Sequence, residues 1–163
     1  VARLRGSDIL RHSLLDRLVG DEDGPPRGGD LRISVADLRQ VVRRDLEWLL
    51  NTRLVFPERL EGSEEASASI LGFGLPDLSG YSLASALDSQ EMCRGIRKAI
   101  QTFEPRFNRR SIQVEHVPHK DVTDFTMHFR ITAMIEVDPI REPVTFDTAM
   151  DPDSGAVRIE EAG

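Results

Sequence analysis

Apolar positions between Ser34 and Asn51 recur with helical spacing. Leu38, Val41, Val42, Leu46, Leu49 and Leu50 stand three or four apart and form one stripe, while Arg39, Arg43, Arg44 and Glu47 lie mostly off it. Ser34 is a suitable N-cap, and Asp37 stands three positions on, where a carboxylate serves the free N–H groups of a first turn. Pro57 closes the segment. Asp45 falls beside the apolar stripe and needs a cationic partner, for which Arg44 and Arg53 are candidates. A second helix is predicted from about Ser89 to Phe103. Its stripe is Met92, Ile96, Ile100 and Phe103, its acidic start is Asp88 and Glu91, and Arg94, Arg97 and Lys98 line its outer face. It should stop at Glu104, because a residue before proline is pushed out of the α region.

Beyond residue 111 the period changes to two. Ile112 to Val117 alternates, and so does the long run from Phe125 to Val137. In that run Met127, Phe129, Ile131, Ala133, Ile135 and Val137 face one way, and His128, Arg130, Thr132, Met134 and Glu136 the other. Val144, Phe146, Thr148 and Met150 mark a third strand. Asp151 to Gly155 reads as a turn, and Val157 and Ile159 open a short fourth strand. Short connections make an antiparallel meander with one face for the helices to cover. The expected fold class is α+β, with two main helices packed on one face of a small, mainly antiparallel sheet.

Three other segments matter. Ile9, Leu10, Leu14, Leu15 and Leu18 are weakly amphipathic, and residues 20–30 are rich in Gly, Pro and Asp. Residues 1–30 are therefore expected to be a flexible N-terminal segment carrying a short helix or an extended docking stretch. Residues 61–69 read as an acidic surface loop. Ile70 to Gly80 holds too many apolar residues for a solvated loop, so Phe73, Leu75 and Leu78 are expected to plug into the core, with Gly74, Pro76 and Asp77 shaping an ordered turn. A phosphate cradle is disfavoured, because the Lys-Ser/Thr pair of a P-loop is missing.

Composition narrows the field. A length of 163 residues suits one domain with short appendages. The single cysteine, Cys93, excludes a disulfide within the chain and the Cys-rich zinc patterns. No apolar run approaches the roughly 18 residues of a membrane span, and the first residues lack the apolar region of a signal peptide. The expectation is a soluble protein of a reducing compartment, without membrane insertion. The chain opens on Val1 rather than Met, so the numbering is read as starting inside a longer chain.

The net charge is −7, from 21 basic and 28 acidic residues, which argues against a general nucleic-acid binder. The distribution is uneven. Residues 61–90 carry five acids and no base, residues 91–120 seven bases and three acids, and residues 121–163 three bases and ten acids. Six basic residues and one acid lie between Arg94 and Arg110, so a polyanion or an acidic protein face is a candidate partner. One Tyr and one Trp give little support for stacking on sugars or bases.

Candidate chemistry is sparse. Of His12, His116, His119 and His128, only His116 and His119 are close in sequence, with Asp121 near, and their spacing matches no strong zinc pattern. Neither a metal nor a cofactor is expected. Cys93 sits beside the apolar stripe of the second helix, as a packing residue does. A glycosidase pair could be drawn from Glu104 and Asp77. A carboxyl acting as an acid needs burial away from positive charge, whereas Glu104 has Arg97, Lys98, Arg106, Arg109 and Arg110 nearby in sequence. A structural ion pair fits better, and no catalytic residue is assigned.

Four stretches carry a family resemblance: Ser13 to Leu18, Ser34 to Arg53, Phe73-Gly74-Leu75-Pro76-Asp77, and Phe103-Glu104-Pro105-Arg106. Glu142 to Phe146 and Asp153-Ser154-Gly155 add to it. In this order they resemble the TssE family, the small baseplate subunits of bacterial type VI secretion systems, and the related small wedge proteins of contractile phage tails. The resemblance implies one wedge-protein-like α+β domain over residues 31–163. It implies a non-enzymatic, cytoplasmic scaffold whose partners are other wedge subunits and contractile sheath proteins, with no nucleic acid. It places Glu104, Pro105 and Arg106 at the contact with the wedge, and it implies that a β edge, after Pro143 or at Val157, meets the sheath. The family has also carried a lysozyme label. A peptidoglycan hydrolase using Glu104 and a small binding module sharing only the fold are the alternative readings.

Overall fold

The computed structural model describes residues 34–54, 60, 62–77, 81, 85–118, 126–138, 140–151 and 154–162. The expectations for residues 1–30, Leu78, His119 and Asp121 lie outside them. Contacts divide the chain at Val42 into two compact units.

The described part of the first unit, Ser34 to Val42, opens helix α1 (Val35–Asn51). Its start is a capping box. The Asp37 N–H donates to Ser34 Oγ at 3.1 Å, and the Ser34 N–H and hydroxyl both donate to Asp37 Oδ2, at 2.9 and 2.7 Å. Leu38 and Val42, on the predicted stripe, are buried.

The second unit holds the rest of α1, a one-turn helix α2 (Glu64–Ser67), a 3-10 turn (Ile70–Gly72), helix α3 (Ala86–Phe103) and four strands. The strands are β1 (Gln113–His116), β2 (Met127–Val137), β3 (Ile140–Met150) and β4 (Val157–Glu161). The sheet order is β1-β2-β3-β4, with every neighbouring pair antiparallel. The fold is α+β, as the periodicity predicts. One sheet face is apolar: Phe129, Ile131, Ala133 and Ile135 of β2, Val144, Phe146 and Met150 of β3, and Val157 and Ile159 of β4 are all buried. Leu46, Leu49 and Leu50 of α1 and Met92, Ile96 and Ile100 of α3 complete that core.

Three element boundaries differ from expectation. Helix α3 starts at Ala86, earlier than Ser89, because Ser85 is the cap and its Oγ accepts the Asp88 N–H at 3.2 Å. The acidic segment at 61–69 contains α2 rather than only loop, capped by Ser63, whose Oγ accepts from the Ala66 N–H. Strand β3 begins at Ile140 rather than Val144 and keeps Pro143 inside it. Register explains the proline. The Thr145 carbonyl accepts from the Ala162 N–H at 3.0 Å, so its polar groups face away from β2. Pro143, two residues back, faces the same outer side and costs the β2–β3 ladder no bond.

The segment around Phe73 is ordered as expected. Leu75 is buried and forms a parallel bridge with Arg53. Its N–H donates to the Thr52 carbonyl at 2.8 Å, and its own carbonyl accepts from Leu54 at 2.9 Å. Gly74 has φ +123, and a Cβ there would stand 2.5 Å from the Thr52 carbonyl oxygen, so no side chain fits. Phe73 is half-buried and meets Phe103 edge-on, with ring centroids 5.3 Å apart. Pro76 is half-buried and Asp77 exposed at the end of this turn.

Candidate functional site

Helix α3 ends where the sequence says it must. Glu104 is its C-cap, with ψ 85, and its N–H still reaches the Ile100 carbonyl at 2.9 Å. Pro105 then turns the chain outward and is exposed. The backbone of residues 106–108 returns along β2. The Arg106 carbonyl accepts from Glu136, the Asn108 N–H donates to Met134, and Phe107 bridges Ile135. The corner is thus fixed between a helix end and a strand edge.

Its charges are arranged inward. Glu104 is buried, at 4% relative exposure. Both its carboxylate oxygens are held by Arg106: Oε1 accepts from the Arg106 N–H at 3.1 Å and from Nε at 2.6 Å, and Oε2 accepts from Nη2. The same Nη2 reaches Asp45 Oδ2 of α1 at 2.8 Å. Asp45 also accepts from Arg44 through Oδ1, from Nε at 3.1 Å and Nη2 at 2.9 Å. Arg44 in turn lies 4.8 Å from the ring of Trp48, which is 48% exposed. Burial alone would lower the Arg106 pKa. The hydrogen bonds and charge of Glu104, and then of Asp45, outweigh it and hold the guanidinium above its ordinary value. Two carboxylates and two guanidiniums form one compensated row, with Trp48 at one end and Pro105 at the other.

This row unites Glu104 and Arg106 as the ion pair that their neighbours in sequence suggest. Of the two partners expected for Asp45, Arg44 binds it and Arg53 does not. Arg53 instead donates to the Leu50 carbonyl at 3.0 Å and to the Gly155 carbonyl, tying the end of α1 to the β3–β4 turn. The second partner of Asp45, Arg106, is 61 residues away in sequence, and no local pattern announces it. The one sequence signal is a carboxylate beside an apolar stripe.

The sheet edges are unequal. The outer side of β4 meets α1: Asn51 donates to the Val157 carbonyl and accepts its N–H, each at 2.8 Å, and Arg43 donates to the Ile159 carbonyl at 3.2 Å. Strand β3 pairs with β4 only from Phe146 to Met150, so among the described residues the outer side of Ile140 to Pro143 has no strand beside it. Elsewhere, Cys93 is half-buried, and burial pushes its thiol up. Beside it in the fold, His116 lies 5.8 Å from the ring of Phe129. Among the described residues no group of His, Cys, Asp and Glu could hold a metal ion, and no helix is long and apolar enough to cross a membrane.

Comparison with protein-family models matches residues 36–140 to the family described as baseplate wedge protein gp25. The matched span contains both main helices, the Phe73 turn, the Glu104–Arg106 corner and strands β1 and β2. No curated protein and no solved structure matches the chain. The chain belongs to this baseplate wedge family, and its role is that of a structural part of a phage-tail-like baseplate.

Proposed function

We propose that this chain is a non-catalytic baseplate subunit of a bacterial type VI secretion machine, working in the cytoplasm. It docks to other wedge subunits through the corner at Glu104, Pro105 and Arg106, and helps start sheath polymerisation through a free sheet edge. Residues 31–163 act as its wedge domain, and residues 1–30 lead into it.

The observation that carries this reading is the fixed corner inside the family-matched span. Glu104 and Asp45 hold Arg106 in one direction, while Pro105 stands exposed beside it. A side chain already ordered in the free protein loses little entropy on binding. Glu104 then works as a positioning residue, and the contact surface is Pro105, the outer side of Arg106 and the exposed Trp48, an aromatic of the kind that dominates interface energetics. The outer side of Ile140 to Pro143 is the edge better suited to the sheath, because the β4 edge is met by Asn51 and Arg43. The hydrolase alternative fares worse. A general acid needs a carboxyl kept from positive charge, and both oxygens of Glu104 lie on Arg106.

The test is co-elution of the purified protein with purified wedge and sheath subunits, with circular dichroism confirming each variant folded. Arg106→Glu places a third carboxylate beside Glu104 and Asp45 and endangers the fold, so Pro105→Asp and Trp48→Ala carry the decision. The expected result is folded variants that bind the wedge at least tenfold more weakly. Unchanged binding by both removes the corner from docking, and a wild-type protein that binds no wedge subunit removes the type VI reading. No clearing of purified peptidoglycan is expected, and clearing that is lost in Glu104→Gln would restore the hydrolase.

A further inference from the structure

The outer face of α3 is a second, separate feature. Arg94, Arg97 and Lys98 stand three and four apart and are all exposed, so they share one helical face. Gln101, on the same face, donates through Nε2 to the Arg109 carbonyl at 3.0 Å. That bond brings the turn carrying Arg109 and Arg110, both exposed, against the end of the basic row. The turn is itself locked: the Arg110 N–H donates to Asn108 Oδ1 at 3.0 Å, and the Ser111 hydroxyl to the Asn108 carbonyl at 2.7 Å.

None of these five cations has a hydrogen bond or ion pair from its side chain among the described residues. Most arginines elsewhere in the second unit behave differently, exposed Arg158 on β4 being the exception among the described residues. Arg43, Arg44, Arg106, Arg130 and Arg141 all meet carboxylates, and Arg53 meets carbonyls. In a chain with 28 acids against 21 bases, carboxylates are in excess, yet among the described residues none pairs with these five, not even exposed Glu91 three positions before Arg94. The cations on the helix repel one another at helical-neighbour distances, and no ion pair among the described residues offsets that.

We infer that the face formed by Arg94, Arg97, Lys98, Arg109 and Arg110 is a docking surface for a carboxylate-rich protein segment. Four of the five are arginines, whose planar fork matches carboxylates two bonds at a time. Nucleic acid fits less well. Among the described residues the one exposed large aromatic, Trp48, is engaged with Arg44 on α1, and none of them offers a stacking platform on this face. The net charge of −7 also opposes a long polyanion running past the patch. Naming another baseplate subunit as the bearer of that segment rests on the function proposed above; the surface itself does not.

The test uses the full chain and three probes: a fluorescent 12-residue peptide of alternating Glu and Ala, a fluorescent oligo-dT of equal charge, and the purified wedge subunits. Arg97→Glu with Lys98→Glu, and separately Arg109→Glu with Arg110→Glu, reverse the face. Arg158→Glu, an exposed reversal on β4, is the control. The expected result is salt-sensitive peptide binding that each double reversal weakens at least tenfold and Arg158→Glu less than twofold, with wedge binding weakened in parallel. Equal effects of the face and control reversals would overturn the inference. Tighter binding of oligo-dT than of peptide would replace it with nucleic acid. Self-association abolished by the reversals would replace it with a second copy of this chain. Face-dependent peptide binding without any wedge binding would uphold the surface and refute the baseplate-partner reading.

Discussion

Two arginine-rich regions adjoin the end of α3, and they handle charge in opposite ways. At the corner, Arg106 is half-buried and shared between Glu104 and Asp45, so its charge is balanced within the fold. On the outer face, Arg94, Arg97, Lys98, Arg109 and Arg110 are exposed and form no side-chain hydrogen bond or ion pair among the described residues. In sequence they form one basic run from Arg94 to Arg110. The difference teaches that the corner's charges hold a shape while those of the outer face are available to a partner. Mutations of the corner's paired charges should act first through stability, and mutations of the outer-face charges through binding.

The largest effect should come from breaking the corner. Arg106→Ala leaves Glu104 buried without a counter-charge, at a cost of about 3–5 kcal/mol, read as a fall in the urea midpoint. Glu104→Gln together with Arg106→Met removes both charges and should recover much of that loss. Next is Gly74→Ala, which forces a side chain into a φ of +123 against the Thr52 carbonyl. It should cost at least about 1–3 kcal/mol in the same assay and loosen the Phe73 contact on Phe103. Asn51→Ala unseals the β4 edge at Val157 and should cost about 1–2 kcal/mol, with faster amide exchange at Val157. The outer-face reversals should be the mildest of these in stability, within about 0.5 kcal/mol of wild type, because they break no internal bond.

A pH scan adds a smaller effect. Burial raises the Cys93 pKa, so the folded state keeps a proton that the unfolded chain releases sooner. The stabilisation from the neutral thiol is fully present below the unfolded thiol's pKa and is lost as pH rises through the higher folded value. Cys93→Ser should flatten the alkaline fall in stability between those two values. Iodoacetamide should label native Cys93 more slowly than the same residue in urea, and equal rates would contradict the burial argument.

Much of the fold was legible because periodicity is local. The stripes of α1 and α3 and the alternation of β2 needed only their own residues, and so did the stop at Glu104 before Pro105. The misjudged boundaries turned on single polar atoms. The cap of α3 is the Ser85 hydroxyl rather than Asp88, and β3 begins at Ile140 rather than Val144 because the outward orientation of Pro143 depends on register with β2 and β4. The site was half legible. The Glu104–Arg106 pair is two residues apart and follows from charge, whereas the Asp45–Arg106 contact and the Asn51 seal on Val157 join residues 61 and 106 apart. Only tertiary packing brings such partners together.

The most direct test of the account separates the shape of the corner from its use. Purified wedge subunits are titrated calorimetrically into the wild-type protein and into Pro105→Asp, and the unfolding free energy is measured on the same preparations. The account predicts stability within about 1 kcal/mol of wild type and affinity at least tenfold weaker, because Pro105 is exposed, makes no bond in the clamp, and lies in the proposed docking surface. A stable variant that binds the wedge as tightly as wild type would contradict it and leave the corner a purely internal brace.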